Sequence, residues 1–177
     1  MKKTIIICGL IAGLIATAWT IAGMAGLHIE GSLLLGYSTM LVAFSLIFVA
    51  VKNSRDKFNG GFISFGKALQ IGLLITLIAS TIYVAAWLIS YYYMNSDYLD
   101  KYAAHVLAKM KTDGASAAEL QKKTTELQNF REMYQNPFFN AMMTYLEILP
   151  MGIVISLIAA FILKRKSDSK NVVTTAV

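Results

Sequence analysis

Few side chains in this 177-residue chain are of the kinds that bind metals, carry protons or attack substrates. There are two histidines, His28 and His105, one cysteine, Cys8, and ten Asp or Glu residues. By ligand type, His28, His105, Glu30 and Glu147 are the side chains a zinc ion could use. No HExxH, CxxC or paired spacing joins them. No nucleophile elbow is present and no Ser-His-Asp set falls on identifiable elements. Two histidines give little acid–base capacity near neutrality. Cys8 lies in an apolar run and has no second cysteine to pair with. Residues 61–67 have the spacing GxxxxGK, but a phosphate loop needs Ser or Thr where Ala68 stands, and no strand precedes it. The expectation is a protein that is not an enzyme, with no cofactor and no metal.

One acid stands apart. Glu147 is the sole charge between Met133 and Leu163. An acid inside a membrane is a functional candidate by default. Lys164 marks one surface, and Glu147 is 17 residues before it, ~26 Å along a helix. That depth places the carboxylate near the opposite headgroups, where it costs little. Pro150 and Gly152 follow it. Proline inside a helix removes a hydrogen bond and marks a kink. A helix starting near Glu147 would instead hold Pro150 in its first turn. Glu147, Pro150, Gly66 and Lys67 are the candidate functional residues.

Composition says what must position them. The chain is 56% hydrophobic and 15% charged, against about 45–50% and about 25% in soluble domains. Mean hydropathy is +0.58. These values exclude a disordered tail, a coiled coil and an ordinary soluble globule. The charges are segregated, leaving four apolar runs at residues 4–26, 31–51, 68–92 and 144–163. Each is about as long as a spanning helix requires, and backbone in lipid must bond internally. The fold class expected is all-α, a four-span transmembrane bundle forming one integral membrane domain over residues 1–177. A tight turn at Leu27-His28-Ile29-Glu30 pairs the first two spans as an antiparallel hairpin.

Cations set the orientation. Lys2 and Lys3 precede the first span. The second loop carries Lys52, Arg55, Lys57 and Lys67 against Asp56. The tail, residues 164–177, carries Lys164, Arg165, Lys166 and Lys170 against Asp168, while the third loop balances six cations with six anions. Both termini are therefore expected in the cytoplasm. The net charge of +6 is a topology signal, with no aromatic-basic interleaving to indicate nucleic acid. The first apolar run continues too far for a cleaved signal peptide, although Ala16-Thr17-Ala18 offers a cleavage-like site.

Each span has small residues at helical spacing: Gly9, Gly13, Ala16, Thr20 and Gly23; Ser32, Gly36, Thr39 and Ala43; Gly72, Thr76, Ala79 and Ala86, interrupted by Tyr83; Gly152, Ser156 and Ala159. Such stripes let helix backbones approach. Trp87, Tyr91, Tyr92 and Tyr93 read as an aromatic belt at headgroup level. Phe62, Ile63 and Phe65 among lysines read as an interfacial segment, with Lys57 and Lys67 meeting anionic lipid. In the third loop, Asp97 is expected to cap a helix whose face is Leu99, Tyr102, Val106 and Met110, ended by Gly114. Ser116-Ala117-Ala118-Glu119 is a capping box for a second helix with the stripe Leu120, Leu127, Phe130 and Tyr134, stopped by Asn136-Pro137. Residues 97–135 should thus form a helical hairpin outside the membrane.

The stretch Ser64-Phe65-Gly66-Lys67-Ala68 with Gly72, then Leu149-Pro150-Met151-Gly152 to Ser156-Leu157, closed by Lys164-Arg165-Lys166, resembles the bacterial membrane family catalogued as domain of unknown function 4199. The charged loop centred on Gly114-Ala115-Ser116 is similar too. The resemblance covers roughly Lys2 to Lys166 and implies a four-span protein of the bacterial inner membrane, with no assigned activity or site. A large loop between spans three and four also echoes tetraspanins, whose loop depends on disulfides. This loop has no cysteine, so the likeness is one of shape.

The function expected is that of a non-enzymatic interaction or accessory protein of the bacterial cytoplasmic membrane. Its partners would be the lipid bilayer and a membrane or envelope protein or a second copy, and no nucleic acid. The alternative is a small oligomeric carrier or channel using Glu147, the Pro150 region, Gln70, Thr76, Ser80 and Tyr83.

Overall fold

The structure, a computed structural model, describes residues 1–24, 32–94 and 97–165, with side chains for all of these except 19–24 and 32–33. The turn expected at 27–30, the stripe positions Thr20, Gly23 and Ser32, and the tail beyond Arg165 lie outside the described residues and side chains.

Among the described residues, six α-helices follow in order: α1 (Lys2–Met24), α2 (Ser32–Asn53), α3 (Phe65–Ile89), α4 (Tyr98–Thr112), α5 (Ala117–Tyr134) and α6 (Pro137–Leu163). Two of them run on into a π-helical turn, α2 through Ser54–Phe58 and α3 through Ser90–Met94. Among the described residues, three stretches are long and apolar enough to cross a membrane: Leu34–Phe58, Phe65–Met94 and Pro137–Leu163, of 25, 30 and 27 residues. α1 is a fourth apolar helix, of 23 residues.

α3 is the central helix, packed on α1, α2 and α6. Phe44, Ile47, Ile75 and Ile148 are fully buried between these helices. The opposite faces are apolar as well, as at Ile7, Leu14, Val42, Leu77 and Phe161, each more than half exposed on this chain. Apolar side chains gain nothing by leaving lipid for the protein interior, so association rests on close packing. The glycines supply it. A Cβ at Gly9 or Gly13 of α1 would stand 2.8 or 2.7 Å from Ile78 or Ile82 of α3. On the other side of α3, a Cβ at Gly72 would stand 2.7 Å from Ser156 of α6. Gly36 meets nothing within 4 Å, so the small stripe of α2 is not used at that end.

The hairpin forms as its capping signals dictate. The Ser116 hydroxyl accepts from the Glu119 amide, and the Glu119 carboxylate accepts from the Ser116 amide at 2.8 Å, so the capping box is complete. Gly114 takes φ +85°, the left-handed conformation that ends α4. The start of α4 differs from expectation. Asp97 makes no side-chain cap, and its carboxylate pairs with Lys101 at 2.8 Å instead. Its φ of −96° is already near-helical, short of the extended backbone a capping side chain prefers. The inner face of α4 is also turned. Ala103 shares it with Leu99, Val106 and Met110, whereas Tyr102 is 48% exposed.

α6 begins seven residues before the expected 144. Asn136 both ends α5 and caps α6, its side-chain oxygen accepting from the Phe138 amide at 2.9 Å with Pro137 at the first helical position. Pro150 is consequently interior to the helix, correcting its expected place in the first turn. It leaves the Leu146 carbonyl without its i+4 amide partner.

The aromatic belt is also corrected in part. Tyr93 is 85% exposed as an anchor should be, but its neighbours clasp the hairpin. Trp87 meets Tyr98 edge-on at 5.3 Å, Tyr91 meets Tyr134 at 6.1 Å, and the Tyr92 hydroxyl donates to the Tyr134 carbonyl at 2.9 Å. Phe130 and Phe139 close on Tyr134 from either side in sequence. This aromatic joint fixes the base of α4 and α5 to α3 and α6.

Candidate functional site: a polar seam between two apolar helices

α3 and α6 run antiparallel, and their cross-contacts fix a register. Trp87 Nε1 donates to Asn140 Oδ1 at 2.9 Å. The Tyr145 hydroxyl donates to Thr81 Oγ1 at 3.0 Å. The Thr76 and Ser156 hydroxyls lie 3.2 Å apart. Gly152 is what permits the last approach, because a Cβ there would collide with the Thr76 side chain and stand 3.0 Å from Phe44. Pairing Trp87 with Asn140, Thr81 with Tyr145 and Thr76 with Gly152 sets Ser80 at the level of Glu147 and Tyr83 at that of Thr144.

The seam that results is polar through most of the bundle. Asn140, Ser80 and Ser156 are fully buried, Thr76 is 1% exposed and Thr144 4%. Helical geometry puts Asn140, Thr144, Glu147 and Ile148 along one side of α6, at steps of three and four. Thr144 Oγ1 returns its proton to the Asn140 carbonyl at 2.9 Å, and Ser156 does the same to Gly152 at 2.7 Å. Two buried atoms have no protein hydrogen-bond partner among the described residues: Ser80 Oγ and Asn140 Nδ2. An unpaired buried polar group costs about 1–3 kcal/mol.

Glu147 lies at the rim of this seam. Its side chain is exposed on this chain, while the adjacent Ile148 is fully buried. Among the described residues it has no ion-pair or hydrogen-bond partner. Its surroundings are phenolic. Tyr83 on α3, Tyr98 on α4 and Tyr134 on α5 all lie within electrostatic reach of its carboxylate, and Tyr37 on α2 is within reach of Tyr83. On the hairpin, loss of solvent and then the Glu147 charge push the Tyr98 and Tyr134 phenols above the ordinary tyrosine range. Three helices, α3 and the two of the hairpin, thus converge on one acid. Gln70, expected beside Thr76 and Ser80, is exposed and off the seam.

Gly66 and Lys67 lie at the other end of the bundle. Ser64 caps α3 by accepting from the Lys67 amide at 3.3 Å, which makes Gly66 the second helical residue. A Cβ on Gly66 would meet nothing within 4 Å, so packing gives no reason for glycine there. Lys67 Nζ donates to Asn59 Oδ1, and Asn59 Nδ2 donates to the Ser54 carbonyl at 2.7 Å. The loop is pinned again by Ile63 and Arg165, which exchange both backbone hydrogen bonds at 3.0 and 2.9 Å. Gly60 and Gly61, both at positive φ, allow the turn that delivers Ile63 to that pairing. The candidates therefore form two separate places, Glu147 with Pro150 in the seam and Gly66 with Lys67 in the loop.

Sequence reasoning missed Asn140 and Trp87 as a pair. The available signal was an amide at the four-residue spacing from Asn136 to Thr144, inside a run with no other amide. Among the described residues, no three His, Cys, Asp or Glu side chains gather as a metal site would need. His28 and Glu30 lie outside those residues.

No curated protein and no solved structure is similar enough to match. A family described as protein of unknown function (DUF4199) matches residues 7–165. Its match begins within α1 and takes in α2 to α6, the polar seam and the Ile63–Arg165 pairing, and the chain belongs to that family.

Proposed function

We propose that the chain is a non-enzymatic interaction or accessory protein of a bacterial cytoplasmic membrane, with α1, α2, α3 and α6 spanning and α4–α5 as its docking element. The observation that carries this reading is the state of the hairpin. α5 has 18 residues, a complete capping box and no buried side chain, and α4 buries Leu99 alone. A firmly built pair of helices that leaves its surface uncovered is a platform for another molecule. Arg131 and Asp100, 2.9 Å apart, hold the two helices in one relative setting.

Orientation rests on charge. Lys52, Lys57, Lys164 and Arg165 are exposed at the end opposite the hairpin, beside exposed Phe58, Phe62 and Phe65. Cations with interleaved aromatics fit the cytoplasmic headgroup layer, so the hairpin faces outward and both termini face inward. The test is in-cell crosslinking of a C-terminally tagged chain, intact and with residues 97–135 replaced by a short Gly-Ser linker. Loss of a specific crosslinked protein with membrane insertion unchanged supports the reading. Identical crosslinks from both chains would sink it.

A second reading, a small carrier or channel, is favoured by one observation. The α3–α6 seam sets buried polar side chains from Asn140 to Ser156, ~24 Å along α6. Flux in liposomes that depends on pH in the intact chain and is lost in Glu147→Gln would support it; equal flux would remove Glu147 from the pathway.

A further inference from the structure

Three facts about the seam belong together. Glu147 is an acid within a spanning helix with no protein partner among the described residues. Ser80 Oγ, at its level by register, is fully buried and unpaired by protein. Asn140 Nδ2, two turns nearer the hairpin, is also fully buried and unpaired, although its Oδ1 is held by Trp87. Holding Oδ1 fixes the amide's orientation, so Nδ2 is a donor committed to a position that no protein acceptor fills. Thr144 stands between the two orphans. Its hydroxyl bonds to the Asn140 carbonyl and still has acceptor capacity.

Buried groups of this kind are the ordinary partners of internal water, which makes ~3 hydrogen bonds per molecule to otherwise unsatisfied atoms. Water between α3 and α6 would have a donor in Asn140 Nδ2, an acceptor in the Thr144 hydroxyl and both functions in the Ser80 hydroxyl. Proline supplies one more acceptor near this level, the Leu146 carbonyl freed by Pro150. We propose that water held in the seam by Asn140, Thr144 and Ser80 connects Glu147 to the aqueous phase on the hairpin side, making Glu147 a proton-exchanging site. In the step itself a hydronium on the hairpin side passes its proton along the water to the carboxylate. The product is a neutral carboxyl and one water, and the reverse step restores both charges.

The groups facing Glu147 leave it the sole acid there. α3 presents Tyr83, α4 Tyr98, α5 Tyr134, and α2 presents Tyr37 to Tyr83. All four are phenols. None is a cation that would hold the carboxylate permanently charged, and none is a second carboxyl that would share its proton. On the far side of Glu147 the seam tightens at Gly152 and Thr76, where the helices touch. Access from the hairpin side is therefore easier than from the lysine-rich end. The inference stands whether or not the protein transports anything.

The test uses the full chain in lipid nanodiscs and infrared difference spectroscopy between about pH 4 and pH 9. A carboxyl band that titrates, shifts in heavy water and vanishes in Glu147→Gln is expected. In Ser80→Ala, which removes one water ligand with little change of shape, hydrogen–deuterium exchange of that band should slow about tenfold, equivalent to losing one hydrogen bond from the path. Asn140→Leu should slow it at least as much, with circular dichroism checking that the helices persist. Absence of a titrating band that depends on Glu147 overturns the proposal. So does exchange in Ser80→Ala as fast as in the intact chain.

Discussion

Gly152→Ala tests whether close approach at the seam holds the bundle together. The added methyl would enter space already held by Thr76, standing 2.8 Å from its hydroxyl oxygen and 3.0 Å from the Phe44 ring. Overpacking of this kind costs typically ~1–3 kcal/mol. Parting the helices also strains the Thr76–Ser156 hydrogen bond, worth ~0.5–1.5 kcal/mol. Alanine returns up to ~1 kcal/mol in helix propensity. The net expectation is a loss of ~1–3 kcal/mol. Gly36→Ala is the internal control, because nothing lies within 4 Å of its added methyl, and it should gain ~0.5–1 kcal/mol. Equilibrium unfolding of the full chain in mixed micelles, read by circular dichroism, gives both values. Thr76→Ser removes the methyl that collides, so it should recover ~1 kcal/mol of the Gly152→Ala loss in a double-mutant cycle. If Gly152→Ala unfolds like the intact chain, or loses as much in the Thr76→Ser background, the packing argument is wrong.

Trp87→Phe deprives Asn140 Oδ1 of its close donor and leaves it only the 3.5 Å approach of the Thr144 hydroxyl, which should cost ~1–3 kcal/mol in the same unfolding assay. Ser116 holds the Glu119 carboxyl below the usual glutamate range, first through its hydroxyl and then through its amide. A depressed carboxylate stabilises the fold above its unfolded value, and that contribution is lost as pH falls through the folded value. Hairpin helicity should therefore drop on acidification below the ordinary glutamate range, and Ser116→Ala should flatten that drop in a circular dichroism titration. Hydrogen exchange should find the Ile63 and Arg165 amides protected, and Asn59→Ala, which frees Lys67 and the Ser54 carbonyl, should raise exchange at Ile63 at least severalfold. Gly66→Ala should leave stability unchanged or slightly raised, since its methyl enters open space.

Local signals proved readable where the chain acts on itself within four residues, except at Asp97, which pairs with Lys101 instead of capping α4. The Ser116–Glu119 box, the left-handed Gly114 and the stop at Asn136-Pro137 all form. Gly9, Gly13, Gly72 and Gly152 do meet partner helices, because a missing Cβ is useful only against a neighbour. The start of α6 was hidden for a physical reason. The polar residues Asn136 and Asn140 interrupt the apolar run, yet one caps the helix and the other is buried by Trp87, a partner 53 residues away. The aromatic joint was hidden likewise, since the same rings suit a headgroup layer or a protein clasp. Nothing local marks Ile63 and Arg165 as a pair. Glu147 was legible as the isolated acid of its span, but its phenolic surroundings come from three other helices.

The Ile63–Arg165 pairing also sets an order of events during synthesis. Ile63 is 3% exposed, and its amide and carbonyl are satisfied by a residue 102 positions later. Until α6 has been made and set beside α3, that amide and carbonyl lack this partner at the lysine-rich end. A chain halted anywhere before Arg165 therefore leaves unmade two backbone hydrogen bonds that the finished chain makes. Completion of the last helix is thus written into the backbone pairing of the first half.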